Sequence, residues 1–289
     1  IRRPPRSTLF PYTTLFRSMI ERYRRYRAAV PECIEAEAAR LVIHERAVGR
    51  TVAKVEAPDD WFLKRGLTPP MVRRALRGAT LTAARRRGKQ LFVDTDEHVV
   101  GLHLGMSGRI LVDEFAAGDP LLYASNRDAL EWRRFGLRFT DGGSLWLRDP
   151  RRLGGVVLDP DEDRLGPDVF TITKREFDAA LARATGPVKA VLMDQSRIAG
   201  LGNLLTDEAL WRAGIDPARP TNSLGPADLV VLHKAVRSTV RICARRGGSH
   251  TGDLHDSRER GGRCPRDGAE LLRRTVGGRT TYSCPIHQR

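Results

Sequence analysis

The sequence predicts an α+β protein in which an N-terminal β-sandwich domain with flanking helices precedes a helical domain that ends in a β-hairpin. Three observations support this prediction. Short apolar strands separated by turn signals fill residues 51–147, which is typical of sandwiches and barrels. Helical periodicity replaces them after Pro160. Near the C-terminus, two strand-like runs flank the turn Gly277-Gly278.

The individual elements follow from their apolar spacing. A first helix begins beside Pro31, with apolar residues at helical intervals from Ile34 to Val42, and can end at Gly49. Strands are predicted at residues 51–57, 91–94, 99–104, 109–113, 136–139 and 144–147, with a short helix at 70–76. Helices are predicted at residues 174–184, 188–194, 204–213 and 226–246.

Composition shifts divide the chain. A Pro-, Gly- and Asp-rich linker at 161–167 separates an N-terminal domain at 30–160 from a helical domain at 168–246, and residues 247–289 form a loop and the hairpin. Residues 1–18 show neither helical nor strand periodicity and resemble a translated sequencing adapter, and residues 19–29 match no motif. We therefore expect residues 1–29 to be a non-native upstream extension.

The charge and apolar content restrict the class of protein. The net charge of +15 indicates a polyanionic partner or a generically arginine-rich proteome. The sequence contains no run of eighteen apolar residues and no signal-peptide pattern, so we expect a soluble, cytoplasmic protein without a membrane partner. Two of the four cysteines lie in the hairpin, so no disulfide framework is implied.

The hairpin carries candidate metal ligands. Cys264 and Asp267 precede it, and Cys284 and His287 follow it, which is the arrangement of a zinc ribbon. Asp267 is a poorer ligand for structural zinc than cysteine. Two interpretations therefore remain: one structural zinc ion, or a metal-free hairpin that packs around Tyr282. The turn between the strands leaves the neighbouring Arg279 free to contact a partner.

The most specific segment is Lys189-Ala190-Val191-Leu192-Met193-Asp194-Gln195-Ser196-Arg197-Ile198-Ala199-Gly200-Leu201-Gly202-Asn203, continued through Gly214. It resembles the helix-two-turn-helix of the formamidopyrimidine-DNA glycosylase and endonuclease VIII family of bacterial base-excision repair enzymes. Gly200 and Gly202 permit a tight turn whose N–H groups can hold a phosphate. The resemblance implies that the side chain of Asn203 is a further hydrogen-bond donor to that phosphate. The alternative is an ordinary glycine turn between packed helices.

The same resemblance includes Val30-Pro31-Glu32-Cys33-Ile34-Glu35. Family members begin Met-Pro-Glu and lose the methionine, so Val30 would be a GTG start codon and Pro31 the mature N-terminus. The resemblance implies that the Pro31 nitrogen is the nucleophile, Glu32 the general acid and Glu35 a residue that shapes the pocket. The alternative is that Pro31 only starts a helix and both glutamates only favour its dipole.

Three further segments extend the resemblance. Arg85-Arg86-Arg87-Gly88-Lys89 implies that Lys89 belongs to the catalytic site and contacts the phosphate next to the lesion; otherwise it is part of a solvated charge run. Met106, Arg152 and Leu153 would fill the gap left by an extruded base, and the alternative for Met106 is that it packs in the core. Arg279 resembles the arginine of the family's zinc finger, which contacts phosphate.

The resemblance thus implies a bifunctional DNA glycosylase/AP lyase, acting as a monomer on double-stranded DNA that contains damaged bases or abasic sites. The alternative is a catalytically inactive DNA-binding protein of the same fold. The alternative holds if the residues before Pro31 are retained, because an acylated proline nitrogen cannot form an iminium. A monofunctional hydrolase is disfavoured, because no water-activating aspartate is identifiable.

Overall fold

The computed structural model describes residues 31–113, 115–116 and 129–289. The expectation about residues 1–29 therefore concerns a segment outside the described part of the chain. The elements of the N-terminal domain are α1 (Cys33–Arg46), β1 (Val52–Glu56), α2 (Pro69–Leu76), β2 (Leu81–Arg87), β3 (Gln90–Thr95), β4 (Val99–His103), β5 (Arg109–Val112), β6 (Phe115–Ala116), β7 (Arg133–Phe139), β8 (Ser144–Arg148) and β9 (Gly155–Leu158).

The described strands of this domain form two antiparallel sheets. One has the order β1-β7-β8-β5-β6 and the other the order β2-β3-β4-β9. Side chains from both sheets, among them Val55, Leu91, Phe135 and Leu147, belong to one buried cluster. The predicted sandwich is therefore confirmed, and its apolar alternation reflects a single core between two sheets.

Helix α1 is buried on two sides. Ala39 and Ile43 pack into the core of the sandwich, whereas Ile34 and Leu41 belong to the core of the helical domain. A helix that is apolar nearly all round its first turns is expected to lie between two packed layers. The N-terminal end of α1, with Pro31 and Glu32, consequently lies at the junction of the two domains.

The helical domain contains α3 (Lys174–Leu181), α4 (Val188–Met193), α5 (Asn203–Ala213) and α6 (Pro226–Arg246), close to the predicted positions. Thr173 caps α3 by accepting a hydrogen bond from the N–H of Glu176. Helices α5 and α6 each end at a glycine in the left-handed conformation, Gly214 and Gly247. Long helices were predictable because both their periodicity and their stop signals are present in the sequence.

The C-terminal segment is more ordered than the predicted loop. Two short 3₁₀ helices, Ser249–Thr251 and His255–Ser257, follow α6. Strands β10 (Leu272–Val276) and β11 (Arg279–Ser283) then form the expected antiparallel hairpin, with Val276 opposite Arg279. Among the described residues, no helix is both long enough and apolar enough to cross a membrane.

Strands β2, β6 and β9 were not predicted. The run Arg85-Arg86-Arg87 is the end of β2, and the turn that follows is at Gly88-Lys89. These arginines are not a solvated charge run. Arg85 contacts Asp94 and Glu162, and Arg86 is buried between Glu37 and Asp168. The basic strand therefore joins the sandwich to the interdomain linker through ion pairs.

Candidate active site and nucleic-acid interface

The start of α1 is bonded to the start of α5. The Glu32 carboxylate accepts hydrogen bonds from the backbone N–H groups of Gly202, at 2.7 Å, and Leu204, at 2.8 Å. Gly202 permits this approach, because a Cβ there would lie 2.4 Å from the Glu32 Cδ. Pro31 itself is buried. Pro31 and Glu32 are thus fixed against the glycine turn that sequence analysis assigned to a phosphate.

The protonation of Glu32 depends on two opposing effects. Burial raises the pKa of the Glu32 carboxyl, because removal from water disfavours its charged form. The nearby positive charge of Lys89 and the N–H groups of Leu204 and Gly202 lower the same pKa. Desolvation prevails, so the pKa of Glu32 is raised above its ordinary value. A raised pKa is the property that a carboxylic acid needs in order to donate a proton near neutral pH.

Glu35 connects three segments around the same point. One carboxylate oxygen accepts a hydrogen bond from the backbone N–H of Glu32 at 2.8 Å. The other accepts from the backbone N–H of Ser249 at 2.7 Å and from its hydroxyl at 2.9 Å. Glu35 therefore fixes the backbone beside Pro31 and attaches the segment after α6 to it.

The turn that carries Lys89 is fixed against the glycine turn before α5. Asp168 accepts a hydrogen bond from the N–H of Gly88 at 2.6 Å. A Cβ on Gly88, whose φ is +61°, would lie 2.8 Å from the Cβ of Ala199. Glycine is therefore required for both its conformation and its close approach. Lys89 is half-buried, and its charge lies close enough to lower the pKa of Glu32.

The loops of Met106 and Leu153 lie side by side. Both side chains are exposed, at 41% and 47%. The buried Asp149 joins the loops, since it accepts hydrogen bonds from the hydroxyl of Ser107 and, at 2.7 Å, from the N–H of Gly154. The exposed position of Met106 excludes the core interpretation. Asp149 was missed in the sequence because its partner Ser107 lies 42 residues away in the chain.

Arg152 is not free to fill a gap. Its guanidinium donates to both carboxylate oxygens of the buried Asp59, at 2.7 and 2.5 Å. Its φ of +56° is in the left-handed region, which is uncommon for a residue other than glycine. The neighbouring Arg151 is also exposed. To enter a duplex, Arg152 must first leave Asp59, whereas Arg151 is not held by that carboxylate.

The hairpin tip lies against the helical domain. Arg279 is exposed, as predicted for a residue at the turn. A Cβ on Gly277 would lie 2.7 Å from the Cβ of Ala190, so the turn itself packs on α4. Asn203 donates one N–H of its carboxamide to the carbonyl oxygen of Thr280 at 3.1 Å, which leaves the second N–H for another acceptor. Asn203 and Arg279 therefore lie on neighbouring parts of one surface.

A buried ion pair supports this arrangement. Lys189 and Asp207 are fully buried at a distance of 2.6 Å, and Lys189 also donates to the hydroxyl of Thr281 at 2.7 Å. Arg258 contacts the second oxygen of Asp207 at 2.7 Å. These contacts tie α4, α5 and β11 together. Leaving any one of these charges unpaired would be costly, because all lie in a low-dielectric environment.

Four side chains converge beneath the hairpin. The ligand atoms of Cys264, Asp267, Cys284 and His287 lie within 4.8 Å of one another, and could hold a metal ion. His287 donates from Nε2 to the carbonyl oxygen of Trp211 at 3.2 Å, which directs Nδ1 at Cys264 and Asp267, where it could bind a metal ion. The backbone N–H groups of Arg266 and Ile286 point at the two sulfur atoms, each at 3.4 Å. This donor set fits a metal that prefers sulfur and nitrogen ligands.

Apart from the metal cluster, Arg152 and Arg279 at the hairpin tip, the predicted site residues form two groups. Pro31, Glu32, Glu35, Lys89 and Asn203 surround the junction between α1 and α5. Met106 and Leu153 form an exposed apolar edge of the sandwich.

The comparisons with known proteins agree with this architecture. Residues 30–156 match the family model described as the formamidopyrimidine-DNA glycosylase N-terminal domain, and residues 165–254 match that of its H2TH domain. The chain is 33% identical to the formamidopyrimidine-DNA glycosylase of Paracoccus denitrificans, over 90% of this chain and 100% of that protein. It is 29% identical to the Arabidopsis thaliana formamidopyrimidine-DNA glycosylase, over 90% and 71%. A crystal structure of Lactococcus lactis Fpg with DNA containing an abasic site has a TM-score of 0.75 and 26% identity, over 90% of this chain and 100% of that chain.

Proposed function

The chain belongs to the formamidopyrimidine-DNA glycosylase family, and we propose that it is a bifunctional DNA glycosylase/AP lyase that acts as a monomer on damaged double-stranded DNA. The observation that carries this proposal is the junction at Pro31 and Glu32. A potential amine nucleophile and a buried carboxyl with a raised pKa lie beside a turn rich in N–H donors. Its substrates would be oxidised or ring-opened bases and the abasic sites that their removal leaves.

The chemistry begins with extrusion of the damaged nucleotide from the duplex, because its C1′ is not accessible in the base stack. Glu32 protonates the ring oxygen of the sugar as the nitrogen of a free Pro31 attacks C1′, so the bond between C1′ and that oxygen breaks and the ring opens. The bond between C1′ and the base then breaks, the base takes up the proton that the Pro31 nitrogen loses, and an iminium remains between Pro31 and C1′. The iminium acidifies the 2′ hydrogen. Loss of that proton expels the 3′ phosphate, and a second elimination expels the 5′ phosphate.

The DNA contacts follow from the two groups of residues. Lys89, Asn203 and Arg279 would bind phosphates around the extruded nucleotide. Met106 and Leu153 would occupy the vacated space, since an apolar wedge offsets the loss of stacking. Arg152 would join them only after it exchanges Asp59 for the nucleic acid. Arg151, which is exposed beside it, is the second candidate for this position.

Neutralising Lys89 or Arg279 is expected to weaken binding to all sequences equally. Each variant, Lys89→Ala or Arg279→Ala, should reduce the slope of log affinity against log salt by about one, because each removes one phosphate contact. Lys54→Ala is a matched control, because Lys54 is an exposed cation paired with Glu56 on β1. Titration of a labelled duplex at several salt concentrations measures the slope. A loss confined to one DNA sequence, or the same slope change in Lys54→Ala, would contradict these roles.

We infer that the cluster beneath the hairpin holds one structural zinc ion through Cys264, Cys284, His287 and, more weakly, Asp267. Zinc would supply no chemistry to the reaction there; it would hold the hairpin against Trp211 and so position Arg279. The support is the convergence of four ligand atoms and the N–H groups directed at both sulfur atoms.

Metal analysis of the purified protein is expected to find one zinc ion per chain. A chelator should remove it faster from the natural chain than from the variant Asp267→Cys, because thiolate binds zinc more tightly than carboxylate does. The rate of zinc release into a colorimetric indicator measures this difference. Folded protein with Arg279-dependent DNA binding but no zinc would mean that the hairpin is metal-free.

A further inference from the structure

We propose that Trp61 is a further DNA-contact residue, whose indole packs against a nucleotide beside the step that Met106 and Leu153 open. Trp61 is 68% exposed, whereas Trp146 and Trp211 are buried. A single exposed apolar side chain is common, but several adjacent ones indicate an interaction surface. The proposal rests on the proposed function, because it requires that this edge of the sandwich faces DNA.

Trp61 is adjacent to the loop that carries Leu153. It lies in a short 3₁₀ helix, Asp60–Phe62. The residues that follow this helix lie alongside β9, where the N–H of Lys64 donates to the carbonyl oxygen of Val156 at 2.9 Å. The ring of Phe62 fits against Gly154, where a Cβ would lie 3.0 Å from its Cζ. The segment containing Trp61 is thereby fixed alongside Gly154 and Val156, which follow Leu153 in the chain.

Asp59 provides a second link between these segments. This buried carboxylate, two residues before Trp61, binds Arg152 and lies 3.4 Å from the guanidinium of Arg134. Asp59 therefore holds three parts in one rigid unit: the segment of Trp61, the loop that carries Arg152 and Leu153, and β7.

The electrostatic surroundings indicate which partner fits. The ammonium of Lys64 lies 4.7 Å from the centre of the Trp61 ring and donates to the Trp61 carbonyl oxygen. Arg134 and Arg152 share Asp59, so with Lys64 there are three cations in this region. They outnumber the two carboxylates of the segment, Asp59 and the exposed Asp60. An aromatic surface bordered by cations suits a nucleotide, whose base offers a flat face and whose phosphate offers a negative charge. Duplex DNA opened at the neighbouring step is therefore the occupant that we propose.

The test is binding to two duplexes that differ at one position, one undamaged and one with a tetrahydrofuran analogue of an abasic site. Trp61→Ala should weaken binding to the analogue duplex by about 5- to 100-fold, which is the range for loss of one base–aromatic contact. It should affect the undamaged duplex less, because no base face is opened there. Trp61→Phe should recover most of the loss. Val231→Ala, which removes an exposed apolar side chain from α6, is the control and should bind as the natural chain does.

A second measurement separates this proposal from the proposed function. Acrylamide should quench the fluorescence of Trp61 in the free protein and quench it less in the complex with the analogue duplex. Borohydride trapping on a natural abasic site tests the lyase chemistry independently. Normal trapping combined with unchanged binding of Trp61→Ala to both duplexes would overturn the Trp61 contact alone. An equal loss on both duplexes would also overturn it, because the effect would then be unrelated to the opened step.

Discussion

A chain that begins at Pro31 is expected to become covalently trapped on abasic-site DNA by borohydride, whereas the 289-residue chain is expected to bind without trapping. The reason is chemical. A free α-amine titrates at a pH of about 8, so a useful fraction is unprotonated at neutral pH. In the longer chain the same nitrogen is an amide and cannot form an iminium. Gel analysis of the borohydride-treated mixture measures the difference. Pro31→Gly, which keeps an amine but changes its geometry, should trap more weakly.

The control for this prediction separates acylation from obstruction. A chain with one added N-acetylalanine before Pro31 blocks the nitrogen without offering a new α-amine, and it adds little bulk to the buried junction. It should bind the duplex as well as the shorter chain does and should fail to trap. Robust trapping by this variant would remove the nucleophile role from Pro31, and would favour a lysine such as Lys89.

Glu32→Gln is expected to slow base release by about 10²- to 10⁴-fold, the usual contribution of a general acid. It should slow trapping on a preformed abasic site much less, because that sugar already opens to an aldehyde without an acid. Single-turnover assays on a lesion duplex and on an abasic duplex measure the two steps. An equal loss in both assays would contradict the assignment, since it would indicate a damaged junction rather than a missing proton.

Stability and pH dependence refine the interpretation of Glu32→Gln. The amide directs an NH₂ group at the N–H donors of Gly202 or Leu204, so some loss of thermal stability is expected. Glu35→Gln should lose stability similarly, because Glu35 also accepts several N–H bonds.

The general acid must be protonated, so base release by the natural chain should fall as the pH rises through the raised pKa of Glu32. Glu32→Gln should lack this decline.

Most of the fold was predictable from the sequence, because apolar residues in its strands and helices recur at the spacing expected for each. Strand β2 was not predicted because Arg85 and Arg86 occupy positions where a strand of a β-sandwich usually has apolar residues. Two of their carboxylate partners, Glu162 and Asp168, lie more than seventy residues away. Short-range patterns cannot reveal an ion pair between distant segments. Strand β9, only four residues long, lacks a pattern of its own.

The candidate site was predictable where a motif is continuous in sequence, as for the segment around Gly202 and Asn203. Its detailed geometry was not. Sequence analysis assigned Glu32 to proton transfer but could not reveal that the same carboxylate binds the start of α5, 170 residues away. It assigned Arg152 to the wedge without the buried Asp59 that holds it, 93 residues away. Such contacts depend on how the two domains pack, and no local pattern encodes them.

The most direct test of the account is mass spectrometry of the borohydride-reduced adduct between the chain that begins at Pro31 and abasic-site DNA. After nuclease and protease digestion, fragmentation locates the residue that carries the sugar remnant. If Pro31 is the nucleophile, the remnant is attached to the nitrogen of Pro31 and to no lysine. A remnant on the side chain of Lys89, or on any residue other than Pro31, would contradict it.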